Sequence, residues 1–496
     1  MPGRVVVVGA GLGGLATAVR LAASGADVTL LERDDRPGGR AGRISRDGFE
    51  FDTGPSVLTM PHLVSELFAL HGERMEDHLH LRRLDPAYRA VFHDGSALRV
   101  RGTLDALEQE VREVCGDAEA GRLRRFAAHL EALYQAEYGD FIDANFDSPL
   151  DLAKPRRILE LVRLGGFRRV HPLVSSFLSD WRLVRLFTFQ AMYAGMSPFE
   201  ALGVYAIIAY MDVIAGVYFP VGGIHRVSEE LAALAVRAGV DLRLGAPVEA
   251  VETAAGRATA VRTASGERLG CDVVVLNPDL PVAYRDLLPP EATPRRVTRL
   301  RYSPSCVVVH LGLDRPLTGA AHHNIHFAQG YEASFDDLLA GRLQRDPSWF
   351  LTVPTRGDPA MAPSGGEVGF YLLPAPNLHG APVNWDAQGP RELRLAQERI
   401  EGAGYGPAGD ATVVASVVTP ADWARQGMAA GTPFAASHHF FQTGPFRPAN
   451  VAPRVSGVVF TGSGTVPGVG VPMVLVSGKL AAERVLQQLG PRSVAS

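Results

Sequence analysis

The sequence is poor in cysteine, with three residues among 496, at Cys115, Cys271 and Cys306. They lie far apart and form no C-x-x-C pair, which excludes a redox-active disulfide and a thiolate zinc site. An odd number of isolated cysteines also gives no disulfide framework. A reducing compartment, the cytoplasm, is therefore the expected location.

Long hydrophobic runs and an excess of one charge are missing as well. No stretch reaches the ~18 uninterrupted apolar residues of a membrane span, and glycines interrupt the apolar N-terminus, unlike a signal peptide. The formal net charge of −4 gives no reason to expect nucleic-acid binding. The composition, 46% hydrophobic and 21% charged, is that of a globular protein. The chain length indicates two or three subdomains.

The first forty residues carry the strongest pattern. The run Val5–Val8 has no polar alternation, which predicts a strand buried on both faces. It leads into a Gly-x-Gly-x-x-Gly turn and a helix-like stretch, and the acidic Glu32 follows a second apolar strand. Such a turn brings backbone N–H groups onto a pyrophosphate, and the acid can accept hydrogen bonds from a ribose. The predicted dinucleotide contacts along the turn are Gly9, Ala10, Gly11, Leu12, Gly13 and Gly14.

The segment after Glu32 decides which dinucleotide is expected. In Pro37–Arg40, two glycines let the main chain pass close to a ligand, and an arginine can pair with a phosphate or lie near a flavin. Here the chain resembles the flavoprotein amine-oxidase and phytoene-desaturase superfamily, whose Arg-x-Gly-Gly-Arg-type motif has this spacing. The resemblance implies FAD rather than NAD. It also implies cofactor contacts at Arg33, Gly38, Gly39, Arg40, Thr53, Gly54, Pro55 and, beside the adenine, Val248.

The middle of the chain reads as helical and unusually apolar. Arg156–Phe167 mixes arginines with aliphatic residues, which fits a solvated helix face packed on a core or a surface helix touching anionic lipid headgroups. The block from Phe187 to Pro220 is interrupted by Glu200 and Asp212, which argues against a transmembrane helix. A helix that is apolar nearly all round must be covered by protein, lipid or an apolar ligand.

Near the C-terminus a buried strand breaks into a second glycine-rich loop and then a helix. Bare backbone amides at a helix start face something electron-rich, such as a reduced flavin. The residues predicted to border the cofactor here are Gly462, Ser463, Gly470, Val471, Pro472 and Met473. Histidines are grouped at His322, His323, His326, His438 and His439, but without helical spacing or supporting acids, so no metal site is expected.

Along essentially its whole length the chain resembles bacterial phytoene desaturases of the CrtI type, in the carotenoid/retinoid oxidoreductase family. The stretches that carry the resemblance are Phe49–Pro55, Met192–Pro198, Tyr210–Asp212, Val217–Gly223, Arg301–Ser305, Phe446–Pro448 and Gly462–Pro472. Many members have His where this chain has Val466, and Gly where it has Met473. These two departures put the substrate length, the number of desaturation steps and the electron acceptor in doubt, and leave FAD unaffected.

The expected fold is α/β. A Rossmann-type FAD-binding domain carries an inserted antiparallel-sheet substrate domain and a helical, membrane-associating subdomain. The cofactor domain is expected at 1–75, 220–282 and 450–496, the substrate domain at 76–115 and 283–449, and the helical subdomain at 116–219. The predicted strands of the substrate sheet are His78–Leu84, Tyr88–His93, Leu98–Arg101, Ser305–Leu313, His322–Phe327, Gly369–Leu373 and Thr412–Val418.

The resemblance implies removal of hydrogen across C–C bonds of a linear C40 carotenoid precursor, phytoene, towards neurosporene or lycopene. An allylic hydride would leave for the flavin and a proton would follow, with Asp212 or Glu200 as candidate acceptors. An alternative role for either acid is a hydrogen bond to a neighbouring backbone group or arginine. Electrons would pass on to a quinone or oxygen.

Such a hydrocarbon prefers an apolar phase over water by roughly 30 kcal/mol, at ~0.8 kcal/mol per CH₂. It would therefore be drawn from a bilayer by a peripheral membrane enzyme, which would dock through Arg156–Pro220. Three rivals remain open: a carotenoid ketolase or other polyene oxidase, a non-catalytic isoprenoid carrier, and an amine oxidase.

Overall fold

The structure is a computed structural model that describes residues 3–146, 148 and 155–490. Its strands are Arg4–Val8 (β1), Asp27–Leu31 (β2), Arg43–Arg46 (β3), Phe49–Asp52 (β4), Leu81–Arg83 (β5), Tyr88–Val91 (β6), Ala97–Val100 (β7), Tyr218–Pro220 (β8), Asp241–Arg243 (β9), Val248–Ala254 (β10), Arg257–Thr263 (β11), Arg268–Gly270 (β12), Val273–Leu276 (β13), Ser305–Leu313 (β14), His323–His326 (β15), Trp349–Thr352 (β16), Glu367–Ala375 (β17), Thr412–Val418 (β18) and Val458–Phe460 (β19).

Its α-helices are Leu12–Ala23 (α1), His62–Ala69 (α2), Leu104–Cys115 (α3), Asp117–Glu137 (α4), Pro155–Arg163 (α5), Val170–Ser175 (α6), Trp181–Phe189 (α7), Ile207–Ala209 (α8), His225–Arg237 (α9), Leu280–Asp286 (α10), Tyr331–Leu339 (α11), Trp385–Gly402 (α12), Ala408–Ala411 (α13), Pro420–Arg425 (α14) and Val471–Leu489 (α15). Two π-helical turns, Tyr138–Ile142 and Tyr210–Ile214, interrupt the helical middle. None of the described helices has the length and hydropathy needed to cross a membrane.

A five-stranded parallel sheet underlies the N-terminal pattern, in the order β19-β13-β1-β2-β9. Its central strand β1 pairs with β13 on one side, Val5 facing Val273, and with β2 on the other. The valines of β1 are buried because both faces of the sheet are covered. Val5 and Val7 share one hydrophobic cluster with α1, α9 and α15, and Val6 and Val8 share another with β10, β11 and α10. Helix α1 packs against α9 and α15, so both ends of the chain contribute to this unit.

A seven-stranded sheet forms the second unit, in the order β18-β14-β17-β16-β15-β6-β7. The sequence predicted it as antiparallel, and one pair departs from that: β15 and β6 run parallel. Strand β16 (Trp349–Thr352) was not predicted at all. The segment around His78–Leu84 was wrongly placed in this sheet, because its strand β5 pairs instead with β8.

The helical middle also differs in detail from the prediction. Helix α5 ends at Arg163 and does not reach Phe167, because Gly165 adopts a left-handed conformation (φ +72°). The end of the predicted helical stretch is strand β8. Residues 147 and 149–154 of the predicted helical subdomain lie outside the described residues. The division of the chain into three discontinuous units stays a prediction.

Candidate active site

A cavity of about 1050 Å³ opens where β1, β2, β13 and β19 end. Ligands of open α/β sheets bind at this edge, outside the carboxyl ends of the parallel strands. The cavity continues from there into a chamber lined by aliphatic and aromatic side chains. Its volume reaches the upper limit of the ~300–1,000 Å³ typical of a site for one small ligand. The cavity therefore has a nucleotide-like end and an apolar end.

Most of the predicted cofactor contacts line the nucleotide end. They are Gly9, Gly11, Leu12, Gly13, Glu32, Arg33, Gly38, Gly39, Arg40, Gly54, Pro55, Val248, Gly462, Ser463, Gly470, Val471, Pro472 and Met473. Ala10, Gly14 and Thr53 are not on the cavity wall and support it from behind. The structure thus brings together residues that are more than 400 positions apart in the chain.

The turn after β1 is held by the acid that follows β2. Gly9 has a positive φ of 98°, which favours glycine. The Ala10 N–H donates to Glu32 Oε2 at 2.6 Å, and the Asp34 N–H donates to Glu32 Oε1 at 3.0 Å. Burial raises the pKa of Glu32 above its usual value. Glu32 therefore fixes the turn and presents the remaining acceptor capacity of its carboxyl group to the cavity.

Two glycines of this turn are required for different steric reasons. A Cβ on Gly14 would lie 2.0 Å from the Gly9 carbonyl oxygen, so only glycine lets α1 pack on the turn. A Cβ on Gly11 would lie 2.7 Å from Asn277 Nδ2, which itself donates to the Gly9 carbonyl at 3.3 Å. The first N–H groups of α1 have no intrahelical acceptor and lie at the cavity wall. This bare helix start fits the pyrophosphate of a dinucleotide.

Arg40 joins the two glycine-rich segments. Its Nη1 donates to Ser463 Oγ, and its Nη2 lies 3.9 Å from Asp279 Oδ2. The sequence suggested that this arginine pairs with a phosphate or lies near the flavin. In the structure its guanidinium also closes the wall between the N-terminal and C-terminal loops. Asp279 was not among the predicted cofactor contacts.

The segment after β4 supports the cavity wall from behind. Thr53 Oγ1 accepts from the Gly42 N–H at 3.1 Å, and a Cβ on Gly54 would lie 2.3 Å from the Arg40 carbonyl oxygen. Asp52 accepts hydrogen bonds from the backbone N–H groups of Ile224 and His225, at 2.9 and 3.0 Å. Asp52 thereby fastens this segment to the start of α9.

A buried arginine, which was not predicted as a site residue, supports the C-terminal loop Gly462–Met473. Arg447 is 1% exposed and donates to the carbonyls of Ser463 and Thr465, at 2.6 and 2.8 Å. Burial lowers the pKa of Arg447 to about 10. Val466 is buried but does not line the cavity, whereas Met473 does. The hydrogen bonds from Arg447 thus hold this loop in position.

The apolar end draws on segments that no local motif connects. Its wall includes Phe189, Met192, Tyr193, Leu202, Ile207, Ile208, Met211, Phe350, Leu372, Trp423, Met428, Phe434, Phe440 and Phe446. The loop from Trp423 to Phe446 was not predicted to contribute. The outer rim is aromatic, with the Phe167 and Phe440 ring centroids 6.5 Å apart.

Asp212 is one of the ionisable side chains in this apolar wall. It is 1% exposed, and its Oδ1 accepts a hydrogen bond from the Tyr88 hydroxyl. The Tyr193 hydroxyl donates in turn to Tyr88 at 3.4 Å. Burial raises the pKa of Asp212 to about 7, against the opposing hydrogen bond from Tyr88. Asp212 can therefore exchange a proton near neutral pH.

Glu200, the other acid named from the sequence, is exposed and is not on the cavity wall. Its backbone carbonyl accepts a hydrogen bond from Arg169. Two wall residues were not predicted to belong to the site: Glu137, at the end of α4, and His438, which the sequence analysis named only in a group of histidines. His438 Nδ1 lies 3.2 Å from the Ala194 carbonyl oxygen. Among the residues that the structure describes, no group of three or more His, Cys, Asp or Glu side chains could hold a metal ion.

Sequence comparison identifies the family. A sequence model described as flavin containing amine oxidoreductase matches residues 12–486. The chain belongs to this family. Its cofactor is FAD, and the glycine turn, the bare start of α1 and Glu32 fit that cofactor. The chain is an oxidoreductase, as the family description states.

Two relatives agree with this assignment, and a solved structure has a similar fold. The chain is 50% identical over 494 residues to a phytoene dehydrogenase of Streptomyces griseus, covering 98% of this chain and 95% of that protein. It is 38% identical over 506 residues to a zeta-carotene-forming phytoene desaturase of Myxococcus xanthus, covering 99% and 97%. Cyclohexylamine oxidase from Brevibacterium oxydans has the same fold, with a TM-score of 0.62, 18% identity and coverage of 99% and 100%.

Proposed function

We propose that this flavoprotein desaturates a linear C40 carotenoid precursor, phytoene, towards neurosporene or lycopene. The observation that carries the proposal is the single cavity that runs from the FAD-binding edge of the parallel sheet into an apolar chamber. A chamber lined by aliphatic and aromatic side chains suits a hydrocarbon that offers no hydrogen-bonding group. The two curated relatives are named for phytoene as substrate, which supports the same assignment.

Residues of this chain are proposed to hold the cofactor in three groups. The turn Gly9–Gly14 with α1 receives the pyrophosphate, Glu32 accepts from a ribose, and Val248 lies beside the adenine. Arg40 and the loop Gly462–Met473 border the flavin. When bound, FAD supplies the two-electron oxidation by accepting a hydride from an allylic carbon of the substrate.

The chamber's own contribution is to orient the chain, exclude water and receive a proton. An allylic cation is delocalised, so a weak base is sufficient to remove the proton from the neighbouring carbon. Asp212 is proposed as that base, since its carboxyl lines the apolar wall and Tyr88 holds it by one oxygen. Tyr88 and Tyr193 would then orient the carboxylate.

Substrate is proposed to arrive from a membrane surface on the cytoplasmic side. A C40 hydrocarbon prefers an apolar phase by roughly 30 kcal/mol. Near the mouth of the chamber Leu159, Val162 and Phe167 are exposed in or just after α5, and Phe440 and Phe441 are exposed opposite them. Exposed arginines at Arg163, Arg168 and Arg169 accompany these apolar groups and would meet anionic headgroups. The electron acceptor is proposed to be a quinone or oxygen.

The decisive experiment is co-expression of the chain with enzymes that supply phytoene, followed by mass and absorption analysis of the product. Each desaturation should remove two hydrogens and lengthen the absorbing chromophore. Unchanged phytoene beside abundant flavin-loaded protein would contradict the proposal. A product that gains oxygen would instead identify a carotenoid ketolase or other polyene oxidase.

A further inference from the structure

A second acid lines the chamber and has no function in the proposed desaturation. Glu137 is the last residue of α4 and is 4% exposed. Its Oε1 is buried and has no hydrogen-bond partner among the described residues, and no described side chain forms an ion pair with it. It lies on the cavity wall with Phe141 and Ile142, which belong to the π-helical turn that follows.

The surroundings of Glu137 favour its neutral form. Burial raises the pKa of Glu137 well above its usual value. In this neutral form Glu137 carries an O–H group, which is a hydrogen-bond donor without an acceptor among the described residues.

A buried donor without an acceptor is costly, and natural proteins rarely retain one without a partner. A hydrocarbon cannot supply that partner. The nearby hydroxyl of Tyr205, another wall residue, is already engaged with the Thr443 hydroxyl. An acceptor that enters the cavity can supply this partner, and an uncharged acceptor suits the apolar wall around it.

We propose that Glu137 donates a hydrogen bond to the carbonyl oxygen of an apolar ligand that occupies the chamber. Two ligand classes share this chemistry: a quinone and a polyene ketone. Both have an apolar skeleton that suits the chamber walls and a conjugated carbonyl oxygen that accepts from a carboxylic acid. The inference rests on the proposed function only in treating the chamber as a site for apolar molecules.

The test compares FAD-loaded wild-type protein with Glu137→Leu and Glu137→Gln. The ligands are decylubiquinone as the quinone, a polyene ketone such as canthaxanthin, and phytoene as the hydrocarbon without oxygen. Binding is measured by quenching of intrinsic fluorescence in detergent. Glu137→Leu should weaken binding of a carbonyl ligand about tenfold, the value of one hydrogen bond, and Glu137→Gln should retain most of it through its amide N–H.

The three ligands separate the outcomes. Weaker binding of decylubiquinone alone assigns the site to a quinone, and weaker binding of the ketone alone assigns it to an oxygenated polyene. Equal weakening for all three ligands, or none for either carbonyl ligand, would overturn the proposal. If phytoene affinity is unchanged in Glu137→Leu and the desaturation assay fails, the proposed function is refuted. The proposed carbonyl site at Glu137 is not refuted by that result.

Infrared spectroscopy gives a second measurement that does not depend on the leucine variant folding. The C=O stretch of a protonated carboxyl group should shift when decylubiquinone or the ketone is added to wild-type protein. That difference band should be missing in Glu137→Gln and present in Asp212→Asn, the matched variant at the other buried acid. A band that persists in Glu137→Gln would contradict the proposal.

Discussion

The two ends of the cavity recognise their ligands in opposite ways. At the FAD end the wall is largely backbone: glycine turns, the start of α1 and the loop before α15. At the apolar end the wall is made of side chains from chain segments far apart in sequence, and Glu137 and Asp212 are buried acids among them. Side chains added to the glycines of the FAD end would clash with the backbone. Ligand binding at the apolar end depends instead on the chemistry of its side chains.

The largest effect is expected at the backbone end. Gly14→Ala would place a Cβ 2.0 Å from the Gly9 carbonyl oxygen, and since that oxygen is backbone, the turn itself must move. We expect loss of most bound FAD, measured as the ratio of flavin to protein absorbance after purification. Gly121→Ala in α4 is the matched control, because the nearest atom to its Cβ would be 4.0 Å away on the Arg125 side chain. A flavin ratio equal to wild type in Gly14→Ala would contradict this account.

At the apolar end the next largest effect concerns a single carboxyl group. Asp212→Asn removes the proposed base and should lower the desaturation rate about 100-fold or more, with FAD content unchanged. Since the pKa of Asp212 is about 7, the wild-type rate should fall as the pH drops through 7 and the carboxylate is protonated.

Glu200→Gln is the control for Asp212→Asn, because Glu200 is exposed and does not reach the cavity. Its rate and pH profile should match wild type. An Asp212→Asn protein with normal turnover and an unshifted pH profile would rule out Asp212 as the base.

A third change tests whether the FAD end depends on side chains behind its backbone wall. Arg447→Gln leaves buried carbonyls of Ser463 and Thr465 without donors, and should lower the free energy of unfolding by about 2–3 kcal/mol. Urea denaturation of the FAD-loaded protein measures it. Arg454→Gln, at an exposed arginine that also donates to carbonyls, should change it by less than about 0.5 kcal/mol. Equal midpoints for both variants would show that the loop does not need Arg447.

The smallest effect is expected at the chamber mouth. Phe441 is 69% exposed, and Phe441→Ser should weaken binding to liposomes containing anionic lipid about fivefold, since part of an aromatic side chain no longer enters the bilayer. Val413→Ser is the control, because Val413 is 57% exposed on β18, away from the cavity wall. Sedimentation with liposomes measures both. Similar losses in the two variants would place the docking surface elsewhere.

Most of the residues that line the FAD end of the cavity could be named from the sequence because they lie in local motifs. A valine run, three glycines and an acid at fixed spacing are typical of a strand, a turn and a helix start. The second loop, Gly462–Met473, has the same strand, loop and helix order. Asp279 and Arg447 were not predicted to belong to this end of the cavity. They reach the site through contacts with residues from other parts of the chain.

The apolar end could be recognised as apolar but not assembled. Phe187–Pro220 stood out by composition, yet residues between Trp423 and Phe446 line the same cavity. Glu137 lies on the face of α4 that also carries the buried Leu123, Phe126, Leu130 and Leu133, so its spacing indicates burial although its side chain is acidic. The helix α4 packs against α3, α5, α8 and the turn Tyr210–Ile214. Periodicity reports which residues share a face and does not report what covers that face.

Both buried acids lie in or next to a π-helical turn, where the helix contains one extra residue. The turn Tyr138–Ile142 follows Glu137, and Tyr210–Ile214 contains Asp212; each is closed by an N–H donating to the carbonyl five residues earlier, at 2.8 Å. Removing one residue from either turn would restore the regular helix and rotate one flank by about 100° relative to the other. A single-codon deletion could therefore turn one acid away from the chamber while leaving its partner in place. The orientations of the two acids of the chamber are in this sense set by two separate helical irregularities.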